Sequence, residues 1–263
     1  MRIRPAAVAG TFYPAHEREL RAMIDACVAA SVDPPADAAP PSALVVPHAG
    51  LVYSGPVAAS AYRRLEVERD HIRRVVLLGP SHRVPLRGLA LSSADTWATP
   101  LGPVPVDPTA AETLAGLDMV AVDDRAHAHE HCLEVQLPFL QTVLDSFELV
   151  PIVVGDTRPG EVEVLLDRLW EPPETIVIVS TDLSHYHRHA DAVELDSATA
   201  AEILALHPDR ISDVDACGAR PLRGLLRASR ERQLTVDGID LRNSGDTAGD
   251  RERVVGYGAV ALH

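Results

Sequence analysis

Histidine follows a short apolar run at three separate places in the chain. They are His48 after residues 43–46, His82 after residues 75–78 and His185 after residues 176–179. Asp182 lies between the third apolar run and His185. Imidazole is a common metal ligand and the usual acid–base group near neutral pH. In open parallel sheets, ligands bind at the carboxyl ends of the strands. The pattern therefore predicts a metal site or a histidine-based catalytic site, and separate loop or helix-cap positions are the alternative.

A fourth cluster, A-H-A-H-E-H-C-L-E-V-Q-L-P-F-L, covers residues 126–140. His127, His129 and His131 alternate, so an extended stretch would place all three on one face. If a helix begins just before His131 instead, that residue and Glu134 share a helix face. The H-E-x-x-H signature of zinc proteases is absent. An exposed polar loop is the alternative for the whole segment.

A cysteine lies in the polar stretch D-A-C-G-A-R-P, residues 215–221, where it is Cys217 and precedes Arg220. Glycine and proline on its carboxyl side predict a loop rather than a buried core position. A thiolate in such a place is able to serve as a metal ligand or a nucleophile. Inert packing, the usual fate of a buried cysteine, is the alternative.

Short runs of β-branched and other apolar residues are typical of strands that are buried on both faces. Such runs cover residues 43–46, 75–78, 149–154 and 176–179, and residues 254–263 predict a final strand. Apolar spacing predicts helices at 16–31, 56–66, 109–117, 133–146, 160–170 and 191–206, with a kink or restart at Pro138. The alternation predicts an α/β fold with a largely parallel central sheet and helices on both faces. We find no repeat and no linker, so residues 1–263 are predicted to form a single domain.

The composition excludes several classes of function. A formal net charge of −14 argues against nucleic-acid and anionic-membrane partners, because like charges repel. All 24 basic residues are arginine, so a Schiff-base lysine and a P-loop lysine are both missing. Three cysteines do not form a disulfide framework, and neither a signal peptide nor a membrane span is visible. We therefore expect a soluble, cytoplasmic protein with reduced thiols.

Five sequence blocks in one order carry a family resemblance. They are V-P-H-A-G-L-V-Y-S-G-P-V-A-A-S-A-Y, L-L-G-P-S-H, E-H-C-L-E-V-Q-L-P-F-L, S-T-D-L-S-H-Y and A-C-G-A-R-P. With this set the sequence resembles the Memo family, whose microbial members are called AmmeMemoRadiSam system protein B. The resemblance implies the α/β fold of class III extradiol (LigB-type) non-haem iron dioxygenases.

The resemblance also implies a functional site. Its metal ligands would be His48, His82 and Cys217, with Asp182, His185 and His131 as catalytic residues in the same pocket. Non-haem Fe(II) oxygenases use two histidines and a carboxylate, whereas the third ligand here would be a thiolate. Such a donor set suits iron or copper, and zinc is a further option.

Three functions are compatible with these residues. The first is a metal-dependent redox enzyme acting on an unidentified small molecule, in which Asp182 orients a histidine or the metal-bound species and His185 is the acid–base group. The second is a zinc-dependent hydrolase or lyase with the same residues. The third is a non-catalytic binding module with a vestigial pocket, whose partners would be a radical-SAM protein and an AMMECR-type protein.

Overall fold

The computed structural model describes residues 1–263 and has a nine-stranded mixed sheet at its centre. A second sheet has three strands, in the order β1-β5-β6. The strands of both sheets are β1 (Ile3–Arg4), β2 (Ala43–Val46), β3 (Arg74–Pro80), β4 (Leu89–Leu91), β5 (Thr96–Thr99), β6 (Gly102–Pro105), β7 (Val120–Val122), β8 (Glu148–Val154), β9 (Thr175–Ser180), β10 (His185–His187), β11 (Val236–Asn243) and β12 (Val254–Leu262).

Nine α-helices and three short 3-10 helices connect the strands. The α-helices are α1 (Glu17–Ala29), α2 (Leu51–Tyr62), α3 (Ala110–Thr113), α4 (Asp124–Ala128), α5 (Leu137–Val143), α6 (Pro159–Leu169), α7 (His189–Leu204), α8 (Ala219–Glu231) and α9 (Ser244–Thr247). The 3-10 helices are Arg63–Glu68, Glu134–Gln136 and Pro208–Arg210. None of the helices is both long enough and apolar enough to cross a lipid bilayer.

The four central strands of the large sheet run parallel to one another, and an antiparallel pair joins them to the next strand on either side. The strand order is β10-β12-β2-β9-β3-β8-β4-β7, and β11 also pairs with β12. Strands β2, β9, β3 and β8 run parallel, whereas β12 pairs antiparallel with β2 and β4 pairs antiparallel with β8. The carboxyl ends of β2, β9 and β3 therefore lie side by side at one edge of the sheet.

Alternate side chains of the central strands enter two different hydrophobic cores. In β2, Leu44 and Val46 pack in the core that includes Leu20 and Ile24 of α1. Their neighbours Ala43 and Val45 pack in the opposite core, which also contains α6 and α8 side chains. Both faces of the parallel strands are thus covered by helices, as the continuous apolar runs predict. The predicted α/β fold class is confirmed.

Most predicted elements are present, with shifted ends. The four apolar runs and the final strand lie in β2, β3, β8, β9 and β12, and helices α1, α6 and α7 match the predicted ones within three residues. The predicted restart is confirmed, because the 3-10 helix at Glu134–Gln136 ends where α5 begins, with Pro138 in its first turn. Helix α2 begins earlier than predicted, and α3 has only four residues.

A buried ion pair fixes the N-terminal segment to the chain that carries the fourth histidine cluster. Glu134 is fully buried and accepts hydrogen bonds from Arg4 Nη1 and Tyr13 Oη, both at 2.6 Å. It also accepts the backbone N–H groups of Ala7 and Val8 at 2.8 and 2.9 Å. Four donors satisfy this carboxylate, and loss of one charged partner from such a pair typically costs about 3–5 kcal/mol.

Of the alternatives for the fourth histidine cluster, the extended stretch with His127, His129 and His131 on one face is wrong. His127 lies in α4, where its ring is buried and its Nε2 is 3.0 Å from the carbonyl oxygen of Ala90. His129 is exposed at the end of that helix. Local helix formation therefore separates the three side chains, and only His131 approaches the strand ends.

We expect His127 to make the protein less stable as the pH falls. Burial lowers the pKa of His127 to about 4, whereas an unfolded histidine titrates near 6.5. Between these values only the unfolded chain takes up the proton, so stability present above pH 6.5 is lost as the pH falls toward 4. Between pH 7 and pH 5 this group should lower the free energy of unfolding by about 2 kcal/mol.

Urea unfolding at several pH values tests this expectation. The His127→Gln variant keeps an N–H donor for Ala90 but cannot take up a proton, so its unfolding free energy should fall less than that of the wild type. The exposed residue His129 provides the control, because His129→Gln should keep the wild-type pH dependence. Identical pH profiles for the wild type and His127→Gln would contradict the assignment.

Candidate metal centre

Three parallel strands deliver the predicted site residues to one edge of the sheet. His48 comes two residues after β2, and His82 comes two residues after β3. Asp182 comes two residues after β9, the strand between them. Because the strand bodies are buried on both faces, the loops that carry these side chains start from rigid positions.

Three imidazoles meet at this edge. Nitrogen atoms of His48, His82 and His131 all lie within 4.8 Å of one another. The ring centroids are 5.1 Å apart for His48 and His82, 5.4 Å for His48 and His131, and 4.7 Å for His82 and His131. His48 is buried, while the side chain of His82 is 28% exposed, so the cluster is reachable from solvent on the His82 side.

A single buried carboxylate, Glu130, holds two of the three rings. Its oxygens accept His82 Nδ1 at 2.9 Å and the backbone N–H groups of His82 and His131 at 2.7 and 2.9 Å. His131 Nδ1 is 3.1 Å from the same carboxylate, although the N–H direction is poor for a full hydrogen bond. Burial would raise the pKa of Glu130, but the two imidazoles outweigh burial and hold it well below its usual range. A permanently ionised Glu130 leaves the Nε2 of His82 free to bind a metal ion.

A hydroxyl group fixes the ring of His48. Ser180 Oγ donates its one hydrogen to the carbonyl of Cys132 at 2.7 Å and accepts Gln136 Nε2 at 2.8 Å. Gln136 Nε2 also donates to the carbonyl of Pro47, which sets the orientation of the amide. His48 Nδ1, 2.9 Å from Ser180 Oγ, must therefore be the donor, and its Nε2 carries the lone pair.

The electrostatics keep His48 neutral. Burial lowers the pKa of His48 well below its ordinary value, and the neighbouring His82 and His131 lower it further. A histidine binds a metal ion through its unprotonated nitrogen. The environment of His48 therefore favours the form of the ring that a metal ion requires.

Cys217 lies beside the cluster. Its sulfur is 3.2 Å from His48 Nε2 and accepts the backbone N–H of Asp182 at 3.3 Å. Burial, followed by the charge of Asp182, raises the pKa of Cys217 to about 12, so the group is a thiol that donates to His48. The mutually close set consists of His48, His82 and His131, and Cys217 is not a member of it.

Asp182 and His185 lie near the cluster but outside it. Asp182 Oδ1 accepts the backbone N–H groups of His48 and Ala49 at 2.7 and 3.3 Å, so it orients the His48 loop through the backbone and not through the ring. Burial raises the pKa of Asp182. His185 begins β10, with its Nδ1 2.8 Å from the carbonyl of Leu183, which leaves its Nε2 free.

The donor set fits a transition-metal ion. Three imidazoles and a thiol are available, and two of the imidazoles are fixed through their Nδ1 atoms so that Nε2 is the coordinating atom. A second close set contains His82, Glu130 and Cys132. The Cys132 sulfur, however, is fully buried and 3.2 Å from the carbonyl of Pro80, and burial raises the pKa of its thiol. The three-histidine set is therefore the better candidate.

Sequence reasoning missed the residues that orient the ligands. Glu130, Ser180 and Gln136 belong to the quoted sequence blocks, but none was predicted as a site residue. Ser180 is the last residue of β9, and a polar side chain at the end of an otherwise apolar buried run is the signal that identifies it. Glu130 carries a similar signal, because a glutamate beside a clustered histidine commonly supports metal ligands.

Comparison with known proteins gives a nearly full-length match. The family model described as Memo-like protein matches residues 4–261. The chain belongs to the Memo family. A MEMO1 family protein of Ignicoccus hospitalis is 38% identical, and the match covers 99% of this chain and 98% of that protein. Similar proteins of Methanopyrus kandleri and Aquifex aeolicus are 37% and 34% identical, with 98% of each chain covered.

One solved structure has a similar fold. It is the crystal structure of an uncharacterized protein from Escherichia coli K12, with a TM-score of 0.54 and 14% sequence identity. The match covers 82% of this chain and 98% of that chain. At this level of identity the likeness concerns the fold alone, and it agrees with the α/β architecture described above.

We expect replacement of Glu130 to weaken metal binding. In Glu130→Gln the negative charge is lost and an amide N–H replaces one of the two accepting oxygens, so at least one N–H donor of His82 or His131 would face another donor. Loss of such a supporting group typically lowers metal affinity about 10–100-fold. Competition with a chromophoric chelator measures this affinity, and Glu194→Gln on the exposed face of α7 is the control.

Ser180→Ala provides a second, milder variant in case Glu130→Gln fails to fold. It removes the acceptor of His48 Nδ1 together with the contacts of Ser180 Oγ to Gln136 and Cys132, but it leaves Glu130 in place. It should therefore also weaken metal binding, but by less. Unchanged affinity in both folded variants would refute the supporting function of these residues.

Proposed function

We propose that this protein is a redox protein that binds iron or copper at the three-histidine cluster. The observation that supports the proposal most strongly is the convergence of the nitrogens of His48, His82 and His131 within 4.8 Å. A cysteine thiol 3.2 Å from one of these nitrogens adds a soft donor to the set. Imidazole together with sulfur suits iron and copper, and the same atoms also suit zinc.

The proposed ligands are the three histidines, with Cys217 within reach as a fourth. When bound, iron or copper would supply electron transfer to or from a small molecule. The ligand set that the family resemblance implies contains Cys217 in place of His131. The geometry favours His131, because its ring completes the mutually close set and its carboxylate partner Glu130 is shared with His82.

The remaining residues have separate proposed functions. Asp182 holds the His48 loop by two backbone hydrogen bonds, so it is a positioning residue. His185 Nδ1 donates a hydrogen bond to the carbonyl of Leu183, so Nδ1 carries the hydrogen. Its Nε2 is then available to accept a proton. His185 is only partly buried, so its ring is accessible from solvent.

Metal analysis of protein prepared without oxygen tests the proposal. We expect about one iron or copper ion per chain, because the cluster provides one set of three imidazoles. The bound metal should change its oxidation state reversibly in an electrochemical titration. Zinc as the sole metal at full occupancy would contradict the redox part and favour a hydrolase or lyase.

Two variants distinguish the ligand sets. We expect His131→Ala to lose the metal ion, because one of three ligands is removed. Cys217→Ser should retain the ion, with a shifted reduction potential, because it loses only the soft donor at the edge of the site. If Cys217→Ser loses the metal and His131→Ala retains it, the ligands are His48, His82 and Cys217, and the assignment of His131 is wrong.

A further inference from the structure

A cleft opens beside the histidine cluster, at the carboxyl ends of β3 and β8. Its volume is about 610 Å³, within the range that small-molecule sites usually occupy. Cys217 forms part of the wall and is also 3.2 Å from His48 Nε2. Ser81, the neighbour of His82, lines the cleft as well. A molecule in this cleft would therefore lie against Cys217, whose sulfur contacts the His48 ring of the candidate metal centre.

Two arginines in the cleft differ in their partners. Arg220 is held between two carboxylates, with Nη1 3.1 Å from Asp156 and Nη2 3.2 Å from Asp213. Arg87 lines the same cleft, is exposed, and forms no ion pair with the protein. In a chain with a net charge of −14, this unpaired guanidinium is the group in the cleft that is available to an anion.

A second feature favours an anion at the same place. Arg220 and Pro221 belong to the first turn of α8, a helix of 13 residues with no acidic residue in that turn. The N-terminal end of a helix carries a partial positive charge, which attracts anions. The cleft thus combines a free guanidinium with the N-terminal end of a helix, where Arg220 is already paired with Asp156 and Asp213.

The charges of the lining residues select among anions. Two arginines and two aspartates cancel, so a dianion such as a phosphate monoester would leave twice the excess of negative charge that a monocarboxylate leaves. A single carboxylate instead matches the planar fork of Arg87. The apolar side chains of Val84, Leu86 and Val154 line the remaining wall and suit an apolar body.

We propose that the cleft binds a small organic monocarboxylate, with its carboxylate on Arg87 and its apolar body directed toward Cys217. The inference rests on the proposed function in that it names the substrate class of the same metal centre. Binding of the carboxylate itself requires only the cleft, so it is measurable on the protein without metal.

Benzoate and its neutral isostere benzamide are suitable probes for the full-length chain before and after metal loading. Calorimetric or ligand-observed NMR titrations at constant ionic strength should give a millimolar Kd for benzoate, with benzamide about tenfold weaker. Arg87→Gln should weaken benzoate about tenfold and leave benzamide unchanged. Arg83→Gln, an exposed arginine of the same loop outside the cleft, should bind both probes like the wild type.

A variant that is expected to strengthen benzoate binding controls for loss of affinity through misfolding. Asp213→Asn releases one side of Arg220, so benzoate should bind about two- to fivefold more tightly. Benzoate should also slow the alkylation of Cys217 by N-ethylmaleimide in the wild type but not in Arg87→Gln, which locates the probe in the cleft. Equal affinities for benzoate and benzamide, or full benzoate affinity in Arg87→Gln, would overturn the proposal.

The outcomes separate this proposal from the proposed function. Metal binding without benzoate selectivity would refute the carboxylate cleft and leave the metal centre intact. Selective benzoate binding by a protein that never binds iron or copper would refute the redox proposal, and the proposed carboxylate site in the cleft would stand.

Discussion

The buried charge of Glu130 is the interaction on which the candidate site depends. A carboxylate that is 1% exposed is stable only if it is surrounded by donors, and the donors here are the two histidines, their backbone N–H groups and the backbone N–H of Cys132. Glu130 and the histidines depend on each other, because the histidines that satisfy Glu130 are thereby held with their ring nitrogens close together. Satisfying a buried charge and orienting metal ligands are thus one structural solution.

The sheet supplies the second constraint. Parallel order in β2, β9 and β3 places three loops at one edge, and the buried strand bodies on both faces keep those loops from moving apart. The N-terminal segment supports the fourth loop, since Arg4 and Tyr13 hold Glu134 four residues after Glu130. Phe12 then packs its ring 4.5 Å from the ring of His131. His48 is therefore fixed by Ser180, whereas His82 and His131 share Glu130, and Phe12 of the N-terminal segment also packs on His131.

The elements that could be predicted from the sequence are those with strong apolar patterns. The central strands, α1, α6 and α7 were predictable, and so was the arrival of His48, His82 and Asp182 at one edge. Helix α8 was missed because Pro221, Gly224 and several arginines obscure its apolar stripe of Leu222, Leu225 and Leu226. The extended arrangement of His127, His129 and His131 was wrong because α4 forms a helical turn there, and alternate residues of a helix do not share a face. Ligand-orienting contacts such as His48 with Ser180 depend on side-chain geometry, which spacing alone does not contain.

The long chain separation within the site has a consequence for biosynthesis. The thiol and imidazole that touch, Cys217 and His48, are 169 residues apart, and Asp182 anchors a loop 134 residues before it. During translation, the histidine loops leave the ribosome long before the segment that closes the site beside them. Because domains generally fold as units and contacts this distant form slowly, the site is expected to be completed after release of the finished chain and not during synthesis.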